Sequence, residues 1–300
     1  MQMASSRVRV AVDGHMVVAE THGGEGQQPP VVFLHGILAS VGLVRQMVVE
    51  PASETWISIS LPGHAPGRLA PGTTAADIDT ELFVRLTEAA IDAVVGDRPV
   101  VMSGWSLGGF AALAFAAHRP QRVVGVASLA GFTTPRVRGT IGAMERLSRS
   151  GLGTAVQAGL WLGARFDALH DLIARSCAAD WRAATAVPEE VLAGMRADFA
   201  AHDPASLLKV LAAIHALDIT AVLPRITAPA WIVAGGRDPL IRADEARRIA
   251  SLIPQSTLTI YPSGGHLFFC EWPGLRDDFA AWRASLPHVV PRTAGDDTVH

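Results

Sequence analysis

The chain has 300 residues, 49% of them hydrophobic and 18% charged, with a formal net charge of −3. This apolar content is sufficient for the core of one large domain or two ordinary ones. The small negative charge provides no electrostatic basis for binding nucleic acid or an acidic membrane surface. We therefore expect neither as a partner.

Two cysteines, Cys177 and Cys270, argue against a disulfide framework and fit a reducing cytoplasm. The first residues lack the apolar core of a signal peptide, and no apolar run reaches the roughly 18 residues that span a bilayer. The spacing of histidines, cysteines and glycines matches no zinc, dinucleotide or P-loop pattern. These features predict a soluble cytoplasmic protein without a metal or a cofactor.

Short β-prone runs alternate with helical patterns in the first part of the chain. Asp13-Gly14 is a two-residue hairpin signal between the first two runs. The predicted strands are Arg7–Val12, His15–Glu20, Val31–Leu34, Trp56–Ser60, a run from Val100 to the elbow described below, and Val123–Leu129, with helices at Ala75–Val95 and after the elbow. Wholly apolar strands alternating with helices indicate a mostly parallel sheet covered on both faces.

The pattern changes at Gly131, after which helical periods continue to about Leu223. The predicted helices in this block are Gly142–Arg149, Thr154–Leu162, Phe166–Ala178, Pro188–Phe199 and Pro204–Ala216. Strands and helices then alternate again at Ala230–Ala234, Ala243–Leu252, Thr257–Tyr261 and Gly274–Ser285. We predict an α/β core over residues 1–131 and 224–286, a helical lid over residues 132–223, and a solvated, disordered tail over residues 287–300.

The lid has an apolar set whose members we expect to form mostly lid core, with a minority facing a ligand. They are Leu152, Leu160, Trp161, Leu162, Phe166 and Leu169.

The segment Gly104-Trp105-Ser106-Leu107-Gly108 joins a β-prone run to an alanine-rich helical run. Gly-x-Ser-x-Gly in this context is typical of a nucleophile elbow, a strained turn that lifts the serine hydroxyl above the sheet. The alternative is a glycine-rich turn that contains a serine by chance. We predict that Ser106 is a nucleophile.

A serine hydroxyl needs a base to accept its proton and a third group to orient that base. Asp238 follows the strand Ala230–Ala234, and His266 follows the strand Thr257–Tyr261, which is the expected order after the serine. Asp218 is a weaker candidate because it precedes a strand. Glu271 is also weaker, because it is expected near a helix that it would cap. We predict Asp238 as the orienting carboxylate and His266 as the base.

The tetrahedral intermediate of acyl transfer also needs two N–H donors for its oxyanion. Leu107 N–H follows the nucleophile, and Ile37 N–H follows His35-Gly36 at the end of the strand Val31–Leu34. We predict these two amides as the donors. His35 and His64 are expected to be structural hydrogen-bonding residues of their loops.

Through these residues and the Leu61-Pro62-Gly63-His64 turn, the chain resembles the α/β-hydrolase superfamily. The resemblance covers nearly the whole chain. The Trp-Ser-Leu-Gly-Gly elbow is similar to that of carboxylesterases that cleave pimeloyl-carrier methyl esters. The resemblance implies an α/β-hydrolase fold and ester hydrolysis through an acyl-enzyme on Ser106. The side chains expected to contact the substrate are Trp105, Phe132, Leu240 and Leu267.

Three hypotheses for the function stay open from the sequence. The first is a carboxylic-ester hydrolase for a small or medium acyl ester, a methyl ester or a lactone. The second uses the same three residues for thioester, acyl-homoserine-lactone or carbon–carbon bond hydrolysis, perhydrolysis or acyl transfer. The third is a non-catalytic small-molecule receptor. Arginines of the lid are candidates for receiving an acidic substrate or an acyl-carrier surface, and the alternative is that they form the solvated face of the lid. They are Arg136, Arg138, Arg146, Arg149, Arg165 and Arg175.

Overall fold

A mostly parallel sheet of eight strands forms the centre of the computed structural model, which describes residues 6–24, 28–44, 54–134, 136–180, 182 and 187–287. The strands are β1 (Ser6–Val12), β2 (His15–Gly23), β3 (Val31–Leu34), β4 (Thr55–Ile59), β5 (Val100–Trp105), β6 (Val123–Leu129), β7 (Ala230–Gly235) and β8 (Ser256–Tyr261). Their spatial order is β1-β2-β4-β3-β5-β6-β7-β8. The β1–β2 and β2–β4 pairs are antiparallel, and the other neighbouring pairs are parallel. The predicted α/β-hydrolase fold, with its mostly parallel sheet, is confirmed.

The hairpin between β1 and β2 turns at Asp13 and Gly14, as the sequence predicts. Both residues have positive φ, 49° and 80°, which a type I′ turn requires and which matches the twist of the paired strands. In the middle of the sheet, every residue of β3, β5 and β7 is buried. Their continuous apolar sequences follow from this position, because both faces of these strands are covered.

Ten α-helices occur among the described residues: α1 (Thr80–Val95), α2 (Leu107–His118), α3 (Gly139–Ser148), α4 (Gly153–Gly163), α5 (Asp167–Arg175), α6 (Glu189–Ala200), α7 (Pro204–Ala213), α8 (Ala243–Leu252), α9 (Phe268–Glu271) and α10 (Leu275–Ala284). The helix predicted to begin at Ala75 begins at Thr80, because the Asp79 carboxylate accepts the Leu82 N–H (2.9 Å) and caps this end. A short 3₁₀ turn occupies Ala75–Asp77 instead. None of the described helices is both long enough and apolar enough to cross a bilayer.

The predicted helices between residues 132 and 223 correspond to α3–α7, with ends that differ by a few residues. α5 ends at Arg175 rather than at Ala178, and α7 ends at Ala213, where a 3₁₀ turn (Ile214–Ala216) follows. The described part of this block contains no strand. The boundaries of the predicted lid stay a prediction, and the predicted tail lies outside the described residues apart from Pro287.

The prediction that the apolar set of the lid forms mostly core is wrong for four of its members. Leu160 is buried, but the side chains of Leu152, Trp161, Leu162 and Phe166 are exposed. The Arg165 guanidinium lies 3.9 Å from the ring centroid of Trp161. This cation–π contact covers part of the indole face, so an exposed position is compatible with its apolar ring.

Candidate active site

The predicted nucleophile Ser106 lies between the end of β5 and the start of α2, in a strained conformation with φ 57° and ψ −115°. A Cβ atom on Gly104 would lie 2.1 Å from the Gly108 carbonyl oxygen, and a Cβ atom on Gly108 would lie 1.9 Å from the Leu34 carbonyl oxygen. Only glycine permits such close approaches of backbone to backbone. The turn therefore has the geometry predicted for a nucleophile elbow.

The predicted base and its orienting carboxylate are hydrogen-bonded to each other. His266 Nδ1 lies 2.7 Å from Asp238 Oδ2, and both side chains are almost completely buried. The other carboxylate oxygen, Oδ1, accepts the N–H groups of Leu240 (2.7 Å) and Ile241 (2.9 Å). These backbone donors hold the carboxylate in place. The pair is thus arranged as in a catalytic triad, with Nδ1 bound to the carboxylate and Nε2 available to a nucleophile.

Ser106 and His266 both line one narrow apolar cavity. In the described chain no hydrogen bond joins the Ser106 hydroxyl to the imidazole. Such bonds are often long without substrate and tighten only when it binds. The structure thus places the two side chains at the same cavity.

The other residues predicted for this site also lie around the cavity. The two predicted oxyanion donors, Ile37 and Leu107, line it. So do all four residues predicted to contact the substrate: Trp105, Phe132, Leu240 and Leu267. This placement is compatible with the predicted oxyanion and substrate contacts of these residues, which stay predictions.

Two side chains support the His266 loop in ways the sequence did not indicate. The Trp105 indole N–H donates to the His266 carbonyl (2.9 Å), and its ring packs against the imidazole with 5.2 Å between centroids. Glu271 accepts the N–H of Leu267 (3.0 Å) and the N–H of Ala179 (2.7 Å). Burial raises the pKa of the Glu271 carboxyl group. Glu271 therefore joins the His266 loop to the segment that follows α5, beyond the capping role expected from sequence.

The helices inserted after β6 provide much of the remaining cavity wall. Besides Phe132, the residues of this block that line the cavity are Val137, Ile141, His170, Ile173, Ala174, Cys177, Met195, Asp198, Phe199 and Ile214. Burial raises the pKa of the Cys177 thiol to about 12, so this cysteine is a neutral, apolar part of the wall. Periodicity alone cannot show which face of an inserted helix meets a cavity, so these residues were not predicted.

A second and more open cavity of about 500 Å³ shares Phe132 and Val137 with the first one. It is lined by five arginines and two carboxylates: Arg136, Arg138, Arg146, Arg242, Arg248, Asp244 and Glu245. The excess of cations is local, since the whole chain carries a net charge of −3. Three of these arginines were among those predicted to receive an acidic ligand.

A family profile described as the alpha/beta hydrolase family matches residues 31–292. The chain belongs to this family. It is 31% identical over 252 residues to the pimeloyl-[acyl-carrier protein] methyl ester esterase of Xanthomonas oryzae pv. oryzae, covering 81% of this chain and 90% of that protein. The enzyme of the same name from Chromobacterium violaceum is 26% identical over 246 residues, with 81% and 89% covered.

Solved structures support the same fold. The enol-lactonase from Burkholderia xenovorans LB400 superposes with a TM-score of 0.73 at 18% identity, covering 92% of this chain and 99% of that one. The resemblance of the sequence to α/β-hydrolases of the carboxylesterase type is thus confirmed at the level of the family.

Proposed function

We propose that this chain is a serine hydrolase of carboxylic esters, with Ser106 as nucleophile, His266 as base and Asp238 as the orienting carboxylate. The observation that carries the proposal is the buried hydrogen bond between His266 and Asp238, beside a cavity that also contains the strained elbow serine. The similarity to methyl ester esterases supports the same reaction class.

In the proposed reaction, Ser106 Oγ attacks the ester carbonyl carbon while His266 Nε2 takes the hydroxyl proton. The backbone N–H groups of Ile37 and Leu107 stabilise the oxyanion. The imidazolium then gives its proton to the leaving alkoxide, and the carbon–oxygen bond to the alcohol breaks. Water then attacks the carbonyl carbon of the acyl-enzyme, with His266 again acting as the base. This step releases the acid and restores the serine.

The cavity wall indicates which acyl groups would fit. Most of its lining side chains are apolar, and it is narrow, which favours an extended aliphatic acyl chain over a bulky or polar one. We infer that residues 132–223 act as a lid over the bound acyl group, because the inserted helices supply one wall of the cavity.

The first test compares Ser106→Ala with Ser103→Ala on p-nitrophenyl esters of increasing chain length. Ser103 is a matched control, since it lies on β5, the strand that leads into Ser106, is buried, and its hydroxyl has no hydrogen-bond partner among the described residues. We expect Ser106→Ala to lower kcat by at least about 10⁴-fold with unchanged folding. Ser103→Ala should stay within a small factor of the wild type. Equal activity of the two variants would exclude Ser106 as the nucleophile.

We further propose that the ester is presented on an acyl-carrier protein. The relatives named above act on a pimeloyl-[acyl-carrier protein] methyl ester. The arginine-lined cavity next to the catalytic one would suit an anionic partner surface, since guanidinium groups bind carboxylates and phosphates in a bidentate manner.

Charge reversal at the arginine-lined cavity tests this finer proposal. Arg138→Glu combined with Arg146→Glu should lower kcat/KM for a carrier-linked methyl ester at low salt, and leave p-nitrophenyl butyrate turnover unchanged. Arg9→Glu, an exposed change on the edge strand β1, is the matched control. If both substrates respond equally, or if neither responds, the carrier-binding role is wrong, while the ester hydrolysis proposal is unaffected.

A further inference from the structure

Two loops at the carboxyl ends of β3 and β4 are joined by a pair of crossed hydrogen bonds between histidines and backbone. His35 Nε2 in the first loop accepts the Leu61 N–H of the second loop (3.1 Å). His64 Nε2 in the second loop accepts the Leu38 N–H of the first loop (3.3 Å). The two bonds run in opposite directions, so each loop restrains the other.

The remaining nitrogen of each histidine is also used. With Nε2 as acceptor, the proton resides on Nδ1, which donates to the Gly36 carbonyl in His35 (2.8 Å) and to the Pro62 carbonyl in His64 (2.9 Å). Both side chains are fully buried. Burial lowers the pKa of His35 to about 3 and that of His64 well below its usual value. Both imidazoles are therefore neutral at pH 7, the form in which one nitrogen accepts.

The bond from His35 acts on the predicted oxyanion donor through a single peptide plane. The Gly36 carbonyl and the Ile37 N–H belong to the same peptide unit, which is planar. Fixing that carbonyl towards His35 therefore directs the Ile37 N–H to the opposite side. On the other side of Ile37, His64 holds Leu38, whose φ of 64° is unfavourable for a leucine and needs outside support.

A third histidine links these loops to the inserted helices. His202, between α6 and α7, accepts the Ala65 N–H through Nδ1 (2.9 Å). Its ring meets the His64 ring edge-on with 5.3 Å between centroids. Burial lowers the pKa of His202 to about 4. The ring also contacts Phe199, which lines the catalytic cavity.

We propose that His35, His64 and His202 form a histidine brace that positions the Ile37 N–H for the oxyanion and connects this position to the inserted helices. These are positioning residues, since they act through the backbone of the 36–39 loop. The inference rests on the proposed function. It gives a positioning role to His35 and His64, which the sequence predicted as structural, and to His202, for which the sequence predicted no role. It implies that the lid helices influence the oxyanion donor as well as the substrate.

The test replaces His64 by leucine, which fills the space but cannot accept, and by glutamine, whose Oε1 can occupy the position of Nε2. Removal of one oxyanion donor typically costs about 10²–10³ in kcat, so partial misplacement should cost roughly 10- to 100-fold. We expect His64→Leu to lower kcat by this factor with little change in KM, and His64→Gln to recover most of the loss. Affinity for a trifluoromethyl ketone, which forms a tetrahedral adduct, should fall in parallel with kcat/KM.

His15→Leu is the matched control, because His15 is also buried and accepts a loop N–H, from Ala70 (3.2 Å), away from the cavity. It should lower the melting temperature and leave kcat unchanged. If His64→Leu behaves in the same way as this control, the brace has no role in catalysis and the proposal is overturned.

Amide hydrogen exchange of residues 36–39 separates this proposal from the proposed function, since it needs no turnover. Exchange should accelerate in His64→Leu and in His202→Leu, and stay slow in His64→Gln. Unchanged exchange in His64→Leu contradicts the brace whatever the enzyme hydrolyses. In kcat, the His64→Leu and His202→Leu effects should be non-additive. If the loss of kcat in the double variant equals the product of the two single losses, His202 and the inserted helices are not part of the brace.

Discussion

Trp105 lies immediately before the proposed nucleophile and contacts the proposed base. The sequence predicts that this residue contacts the substrate, and the residue does line the cavity. Its indole N–H also holds the His266 carbonyl, and its ring packs on the imidazole. One side chain therefore links the elbow turn of β5 to the loop after β8, which are far apart in sequence.

Trp105→Phe should separate the hydrogen bond from the aromatic packing. The variant keeps a ring against His266 and loses the N–H donor, so we expect kcat for ester hydrolysis to fall about three- to tenfold, in line with a net hydrogen-bond contribution of about 1 kcal/mol. Trp231→Phe is the matched control, because its buried indole donates to Thr259 Oγ1 (2.9 Å) outside the cavity. An equal loss of kcat in both variants would show that His266 does not depend on Trp105.

At the scale of residues, the candidate triad could be predicted because each member follows a recognisable strand. Ser106 lies in a local motif. Asp238 follows the buried apolar strand β7, and His266 follows β8, a β-prone strand at the edge of the sheet that is only partly buried. Glu271 and His202 could not be predicted in the same way. The inserted block brings the Ala179 N–H to Glu271 and brings His202 to the Ala65 N–H, and no local pattern encodes the placement of these helices.

At the scale of elements, α2 approaches the sheet so closely that the position of Gly108 in its first turn has no room for a side chain. We expect Gly108→Ala to cost more than about 3 kcal/mol, because its new methyl group would lie 1.9 Å from the Leu34 carbonyl oxygen and force the backbone apart. The measurement is urea unfolding, with labelling of Ser106 by a fluorophosphonate as a second readout.

Gly159→Ala is the matched control on another helix. A Cβ atom there meets nothing within 4 Å, and Gly159 lies inside α4. Alanine should therefore stabilise this variant by up to about 1 kcal/mol. If Gly108→Ala is as stable and as reactive as the wild type, the tight elbow described here is incorrect.

The elements themselves were predicted where their pattern is local. Central strands such as β3 and β7 have continuous apolar runs, and the hairpin has its turn residues at Asp13 and Gly14. The sequence did not predict well which faces of the inserted helices are buried. Trp161 and Phe166 are exposed, although large apolar side chains are usually found in a core. A helix that packs on one side against a cavity and on the other against solvent gives an ambiguous apolar pattern.

At the scale of the whole molecule, burial of neutral histidines makes folding depend on pH. Burial lowers the pKa of His35 to about 3 and that of His202 to about 4, and that of His64 falls well below 6.5. In the unfolded chain these groups regain a pKa near 6.5. Above that pH the three histidines are neutral in both the folded and the unfolded state, so the free energy of unfolding does not depend on their protonation. Below it, the unfolded chain takes up protons that the folded protein excludes.

The free energy of unfolding should therefore decrease as the pH falls from 7.5 to 5. Each excluded proton contributes a slope of about 1.4 kcal/mol per pH unit below pH 6.5. Urea unfolding at pH 7.5, 6.0 and 5.0 measures this slope, and the range stays above the pH at which most carboxylates titrate. His202→Leu should be less stable at pH 7.5 and show a shallower slope, because one excluded proton is gone. A wild-type stability that is flat over this range would mean that the three imidazoles are not buried in the neutral form, and the crossed hydrogen bonds that need an unprotonated Nε2 could not then hold the oxyanion loop.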